Sequence, residues 1–148
     1  MSRDILEITL KPEIREFLNQ AQIARLATCD TERLQPHVVP VWYEWDGNFV
    51  WISSFRSTRK VKEIKQNPLV SLVVDTDSRG EAAHAVLFEG RVELIDDPEI
   101  GQKRGFSIYS KYLGEDGAKA KEPQSWLHDP EHLLIKITPQ KVYAWGFS

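Results

Sequence analysis

The run Asn48-Phe49-Val50-Trp51-Ile52-Ser53-Ser54-Phe55-Arg56-Ser57-Thr58-Arg59-Lys60-Val61-Lys62-Glu63-Ile64-Lys65-Gln66-Asn67-Pro68 decides how this chain folds. Residues 48–53 are rich in β-branched and aromatic side chains, and Asp46-Gly47 before them is a hairpin turn, so a strand is predicted there. Ser57 or Thr58 suits a helix N-cap. Val61 and Ile64 then share one face of a short helix, which Asn67-Pro68 ends. Arg59 and Lys60 therefore fall in the first helical turn. Free N–H groups and the macrodipole already make that end positive, so each cation there costs roughly 0.3–1 kcal/mol. A bound anion, held by the helix N-terminus, the Ser/Thr hydroxyls and the two cations, removes the conflict. The segment reads as a phosphate site. The competing reading is a solvated basic face, since no glycine-rich phosphate loop is present.

Five cations lie between Arg56 and Lys65, yet the whole 148-residue chain has a net charge of −3. The basic patch is thus local, as a small anionic ligand requires, and nucleic acid is not an expected partner. The length suits one domain spanning 1–148, and 41% hydrophobic and 28% charged residues are ordinary for a globular protein. No apolar run reaches membrane-spanning length and no signal-peptide pattern opens the chain. The single cysteine, Cys29, fits a reducing compartment and reads as a packed small residue. The expected location is cytoplasmic.

Outward from this segment, most elements read as β-structure. Strands are predicted at Ile23–Thr28, His37–Trp45, Leu69–Asp75, His84–Ile95, Leu133–Thr138 and Lys141–Trp145. Gly90, inside the long strand, marks a bulge or sharp bend. Pro40 suits an edge strand, or one flanking a bound ring. Helices are predicted over Pro12–Ala21 and from Asp97-Pro98 to about Leu113, with 118–130 a polar loop containing a short helical piece. Closing such a sheet on itself removes its edges, so the expected fold is mainly β, a six-stranded antiparallel barrel with peripheral helices.

The order of these pieces resembles the flavin-binding split-barrel family typified by pyridoxamine 5′-phosphate oxidase, in its general-stress-protein branch. Three pieces carry the resemblance: Ile23–Thr28 followed by Pro36–Tyr43; Val50–Ser53 through Ser57–Lys60 to Asn67–Leu72; and Glu89–Val92 with Thr138–Gly146. The resemblance implies a homodimer with FMN at the subunit interface, and an oxidoreductase acting on an unidentified small molecule, with redox or general stress as the expected setting. It implies that Arg59 and Lys60 hold the FMN phosphate, in agreement with the helix-end reading that adds the hydroxyls of Ser57 and Thr58, and that Ile52 and Ser53 contact the phosphate and ribityl chain. It also implies that His37, Val38, Val39, Pro40, Val41 and Trp42 run beside the isoalloxazine, and that Trp145 reaches flavin across the interface. From burial tendencies alone, Trp145 is equally a core aromatic.

Members that oxidise pyridoxamine phosphate continue past the C-terminal tryptophan into an Arg-x-His-Asp-Arg segment, and carry a Ser-Arg-Pro segment. Neither is found here, and Trp42 stands where they have a lysine. Vitamin synthesis is therefore not the expected activity. Trp42, Trp45, Tyr109, Tyr112 and Trp126 are candidate aromatic walls on the substrate side. Two alternatives stay open: a deazaflavin coenzyme using the same phosphate site, and a non-catalytic flavin or haem carrier or sensor. No catalytic side chain stands out, since His37 and Ser53 as a pair lack a third member. His128 and His132 have four-residue spacing without a third ligand, so no metal is expected.

Overall fold

The computed structural model describes residues 3–76 and 83–147, with the Arg3 side chain outside the description. Seven strands form one antiparallel sheet: β1 (Ala24–Cys29), β2 (Pro36–Val41), β3 (Glu44–Trp45), β4 (Val50–Phe55), β5 (Leu69–Asp75), β6 (Ala85–Ile95) and β7 (His132–Trp145). Their order is β2-β1-β5-β6-β7-β4-β3. The two ends of that order, β2 and β3, are separated in the chain only by Trp42 and Tyr43. A few residues span at most about 10 Å, so the sheet curls until its ends meet and becomes a split barrel.

Two expectations change here. The predicted strand His37–Trp45 is broken at Trp42-Tyr43, where the chain passes from one sheet end to the other. The predicted pair Leu133–Thr138 and Lys141–Trp145 is one strand, β7, which pairs with β6 from Leu134 to Trp145. Pro139 and Gln140 look like a turn in sequence, but they form a bulge: Glu89 faces Lys141 and Gly90 faces Pro139, leaving Gln140 unmatched. Gly90 is required at this point. A Cβ there would lie 2.4 Å from the Thr138 carbonyl oxygen.

Alternation along the strands divides the interior. Ala24, Leu26, Val50, Ile52, Leu72, Val74, Phe88, Ile135 and Ile137 fill the barrel. Helix α2 (Pro12–Asn19) covers one end through Ile14, Phe17 and Leu18, the face its spacing marks, after α1 (Arg3–Thr9). β4 is buried on its outer side as well. There Trp51, with Leu134 of β7, packs beneath α4 (Pro98–Ala118) and α5 (Lys121–Leu127) in a second cluster that includes Ile108, Tyr109 and Leu127. Asp97 caps α4 by accepting from the Glu99 and Ile100 amides. Gly114, at φ 77°, interrupts the helix just past Leu113, where the sequence ends it.

Two local predictions hold closely. Asp46-Gly47 joins β3 to β4; Asp46 accepts from the Asn48 and Phe49 amides, and Gly47 has φ 98°. Helix α3 (Arg59–Gln66) follows β4 with Thr58 at its N-cap. β2 is an edge strand in the sheet, paired among the described residues only to β1, and this accommodates both Pro36 and Pro40.

Candidate functional site

A cleft of about 450 Å³ opens where the barrel seam meets the helical layer. Its lining comes from the end of β2 (Pro40, Val41) and Trp42, from Ser53 and Phe55 on β4, and from Lys60 on α3. Tyr109 of α4, Trp126 of α5 and Ile23 complete it. Strand alternation sends Ser53 to the cleft while Ile52 points into the barrel core, fully buried. The Trp42 indole stacks on Tyr112 at 4.8 Å and 6°, and meets Tyr109 edge-on at 6.1 Å. Tyr112 is itself fixed, donating to the Gln22 carbonyl and accepting from the Tyr43 amide. The aromatic wall is therefore rigid. Trp45 is no part of it; it packs on Phe88 inside the barrel.

The neighbouring cations of α3 face different surroundings. Successive helical residues point about 100° apart. Lys60 turns to the cleft, half-buried and without an ion pair among the described residues, and burial pushes its amine below the usual lysine range. Arg59 turns the other way and donates to Glu63 at 3.0 Å, beside a polar pocket with Asp30, Arg33 and Lys62. The end of the helix has no side-chain cap. Thr58 Oγ1 donates to the Phe55 carbonyl at 2.8 Å instead of accepting from the first turn. Among the described residues no side chain accepts from the leading N–H groups of α3.

The remaining predicted residues are placed as follows. His37 faces Thr28 across the ladder and its charge acts on Glu63, so it belongs with Arg59. Val38 is 62% exposed on the outer sheet face, and Val39 packs on the barrel core. Ser57 is exposed and Thr58 half-buried at the turn into α3. Trp145 lies in a separate open groove with Ile8, Leu87 and Tyr143, pairs with Ala85 and is 49% exposed. Of the predicted set, the cleft of this chain brings together Pro40, Val41, Trp42, Ser53 and Lys60.

The sequence singles out His132 only by its spacing from His128, whereas the structure sets it behind Ser53, a residue of the cleft wall. Ser53 Oγ lies 2.7 Å from His132 Nε2 and 2.6 Å from the Tyr109 hydroxyl. His132 is 9% exposed; burial lowers its pKa, against the charge of Asp129. Ser53 thus partners His132, not His37. His128 is elsewhere, its Nδ1 on the Gln124 carbonyl. Gly101 and Gly105 lie four apart on α4 beside the imidazole; a Cβ at either would meet it in ordinary van der Waals contact, at 3.4–3.5 Å, and a Cβ at Gly105 would run into the Leu127 side chain.

The curled seven-stranded sheet, its seam cleft and the helix that follows β4 define a split-barrel domain. The profile of the pyridoxamine 5′-phosphate oxidase family matches residues 10–146, and the chain belongs to that family. General stress protein 26 of Bacillus subtilis (strain 168) is 22% identical over 134 residues, covering 90% of this chain and 86% of that protein. Among solved structures, the conserved hypothetical protein Rv2991 of Mycobacterium tuberculosis superposes with a TM-score of 0.76 at 24% identity, over 91% of this chain and 83% of that one. An F420 reductase superposes with a TM-score of 0.69 at 23% identity, over 87% and 94% of the two chains. No helix among the described residues is long and apolar enough to cross a membrane.

Proposed function

We propose that the cleft holds FMN and that the chain is a flavin-dependent oxidoreductase of the cytoplasm, acting on a small molecule in redox or general stress. The observation that carries this reading is Lys60, an unpaired and half-buried cation beside an uncapped helix N-terminus, opening onto a rigid aromatic cleft. A buried amine without a counter-ion is costly, and a phosphate supplies the missing charge. The residues present fit the cofactor. Lys60 and the first-turn amides of α3 hold the phosphate, and Ser53 bonds the phosphate or the ribityl chain. The segment Pro40–Trp42 lies along the ring, while Trp42, Tyr109 and Trp126 keep water from it. Bound FMN itself supplies hydride or electron transfer, and the protein's part is binding, orientation and exclusion of water.

In this reading the chain works as a homodimer with cofactor between the subunits. Val38, Leu69, Tyr143 and Trp145 support it, as large apolar side chains exposed at the outer surface of the sheet. A solution mass of twice 17.1 kDa is expected.

A deazaflavin coenzyme is the second reading, favoured by the likeness to the F420 reductase fold. The test is a visible absorption spectrum of the protein equilibrated with FMN, with a deazaflavin coenzyme and with haem, followed by NADPH. FMN uptake with bleaching by NADPH supports the proposal. Uptake of deazaflavin alone moves the chemistry to the second reading. Haem uptake, or flavin that is bound but never reduced, makes the protein a carrier, and binding of none overturns the site.

A further inference from the structure

Beneath the cleft, Tyr109, Ser53 and His132 form a chain in which Ser53 Oγ is the middle atom, 2.6 Å from one neighbour and 2.7 Å from the other. Two internal hydrogen bonds need two hydrogens. Ser53 and Tyr109 each supply one, and the imidazole Nε2 supplies a third when it carries a hydrogen, either in the neutral Nε2–H tautomer or in the imidazolium, of which the imidazolium is the form a nearby anion favours. Without it, Tyr109 donates to Ser53 and Ser53 donates to His132, so the chain shows the cleft only lone pairs. With it, His132 donates to Ser53 and one hydroxyl hydrogen is left to donate into the cleft.

We propose that His132 is a positioning residue that sets the polarity of this chain, so that the cleft takes an anionic oxygen of the phosphate type together with a proton held at His132. The proposal rests on the preceding assignment of a phosphate-bearing ligand to the cleft, and adds proton linkage and two residues to it.

The surroundings of the imidazole fit this role. From β4 it meets Ser53 and the edge of the Phe55 ring at 6.1 Å. From α4 it meets the Tyr109–Ser53 bond and the bare backbone of Gly101 and Gly105, while Leu127 of α5 flanks Gly105. Asp129, in the turn before β7, acts on it by its charge, and Lys60 lines the same cleft. The ligand-free ring is thus held towards neutrality by burial, with one carboxylate nearby to support a cation. Nδ1 has no hydrogen-bond partner among the described residues, so nothing there fixes the tautomer. An anion at Ser53 favours the charged ring over the neutral tautomers by direct attraction.

The test follows the imidazole resonances of His132 by NMR through a pH titration of the whole protein, alone, with inorganic phosphate, with FMN and with phosphate-free riboflavin. Calorimetry in two buffers of different ionisation enthalpy counts protons taken up. Phosphate and FMN are expected to raise the His132 midpoint and to bind with proton uptake, whereas riboflavin does neither. FMN affinity then falls as pH rises, by about tenfold for each unit by which the midpoint is raised. His132→Gln and, separately, Ser53→Ala are expected to abolish the uptake while circular dichroism shows the fold retained; His132→Phe serves if the glutamine variant fails to fold. FMN binding with no proton uptake and an unmoved midpoint overturns the inference and leaves the flavin site standing. Phosphate shifting His132 while FMN fails to bind sinks the flavin site alone. Neither ligand binding or moving the midpoint overturns both.

Discussion

Arg59 donates to the Glu63 carboxylate at 3.0 Å, one helical turn along α3, and Glu63 accepts a second hydrogen bond from Thr28 of β1 at 2.7 Å. This ties the arginine to the barrel wall and leaves Lys60 as the cation at the cleft. Neighbours in sequence therefore face different surroundings.

Single substitutions separate the two roles. Lys60→Ala is expected to weaken FMN binding by about ten- to a hundredfold, the worth of a charge-assisted hydrogen bond of about 1.5–3 kcal/mol. Arg59→Ala is expected to leave affinity within about threefold and to lower the melting temperature, because Glu63 loses its charged partner. Fluorescence titration and thermal unfolding of both variants check this; equal losses of affinity would show that Arg59 also serves the ligand.

Glu63 gives the protein an acid-sensitive joint. Its carboxyl lies below the usual range, chiefly through the Thr28 hydrogen bond and then through Arg59, with burial opposing. A depressed folded pKa stabilises the fold above the ordinary carboxylate range, and that contribution fades as pH falls through the folded value. Glu63→Gln is expected to flatten the acid limb of stability. Urea midpoints measured from about pH 6 down to about pH 3 check it, and an unchanged limb would count against the assignment.

Lys111 acts at the alkaline side. Its amine donates to the carbonyls of Leu18 and Tyr43 and lies 3.7 Å from the Tyr43 ring centroid; burial pushes its pKa down to about 8, with Glu44 opposing. Between about 8 and the ordinary lysine value of about 10 the unfolded chain binds more protons, so stability rises with pH in that window. Tyr112, pushed up to about 12 by burial, withdraws stability only at higher pH. Lys111→Met is expected to remove the rise, read as the slope of the urea midpoint against pH.

Gly90 is the steric joint of the β6–β7 ladder. Alanine there must displace the Thr138 backbone, 2.4 Å from the new Cβ. Gly90→Ala is expected to cost about 2 kcal/mol or more and to lower the melting temperature by at least about 4 °C. Calorimetry on the variant gives the answer; a neutral result would mean that the bulge relaxes freely.

Legibility followed locality. Residues 46–68 could be read because each signal acts within a few positions: Asp46-Gly47 turns the chain, alternation sets β4, Thr58 starts α3 and Pro68 stops it. Gly90 announced its bulge because only a residue without Cβ fits there. Pro139-Gln140 misled because turn and bulge use the same residues, and only the partner strand tells them apart.

The sequence by itself thus determined the β-rich alternation, the strand–basic helix unit and the cluster of cations at one helix end. Their physical causes are local sterics, hydrogen bonding and charge, all fixed by near neighbours. Only the tertiary structure decided which cation meets the cleft, since that depends on Thr28 and Glu63 meeting across 35 positions. It alone decided that Ser53 finds His132 across 79 positions, against the face of α4 that carries Gly101 and Gly105. Such pairings arise when the sheet curls and the helical layer settles on β4, and no short stretch of chain encodes them.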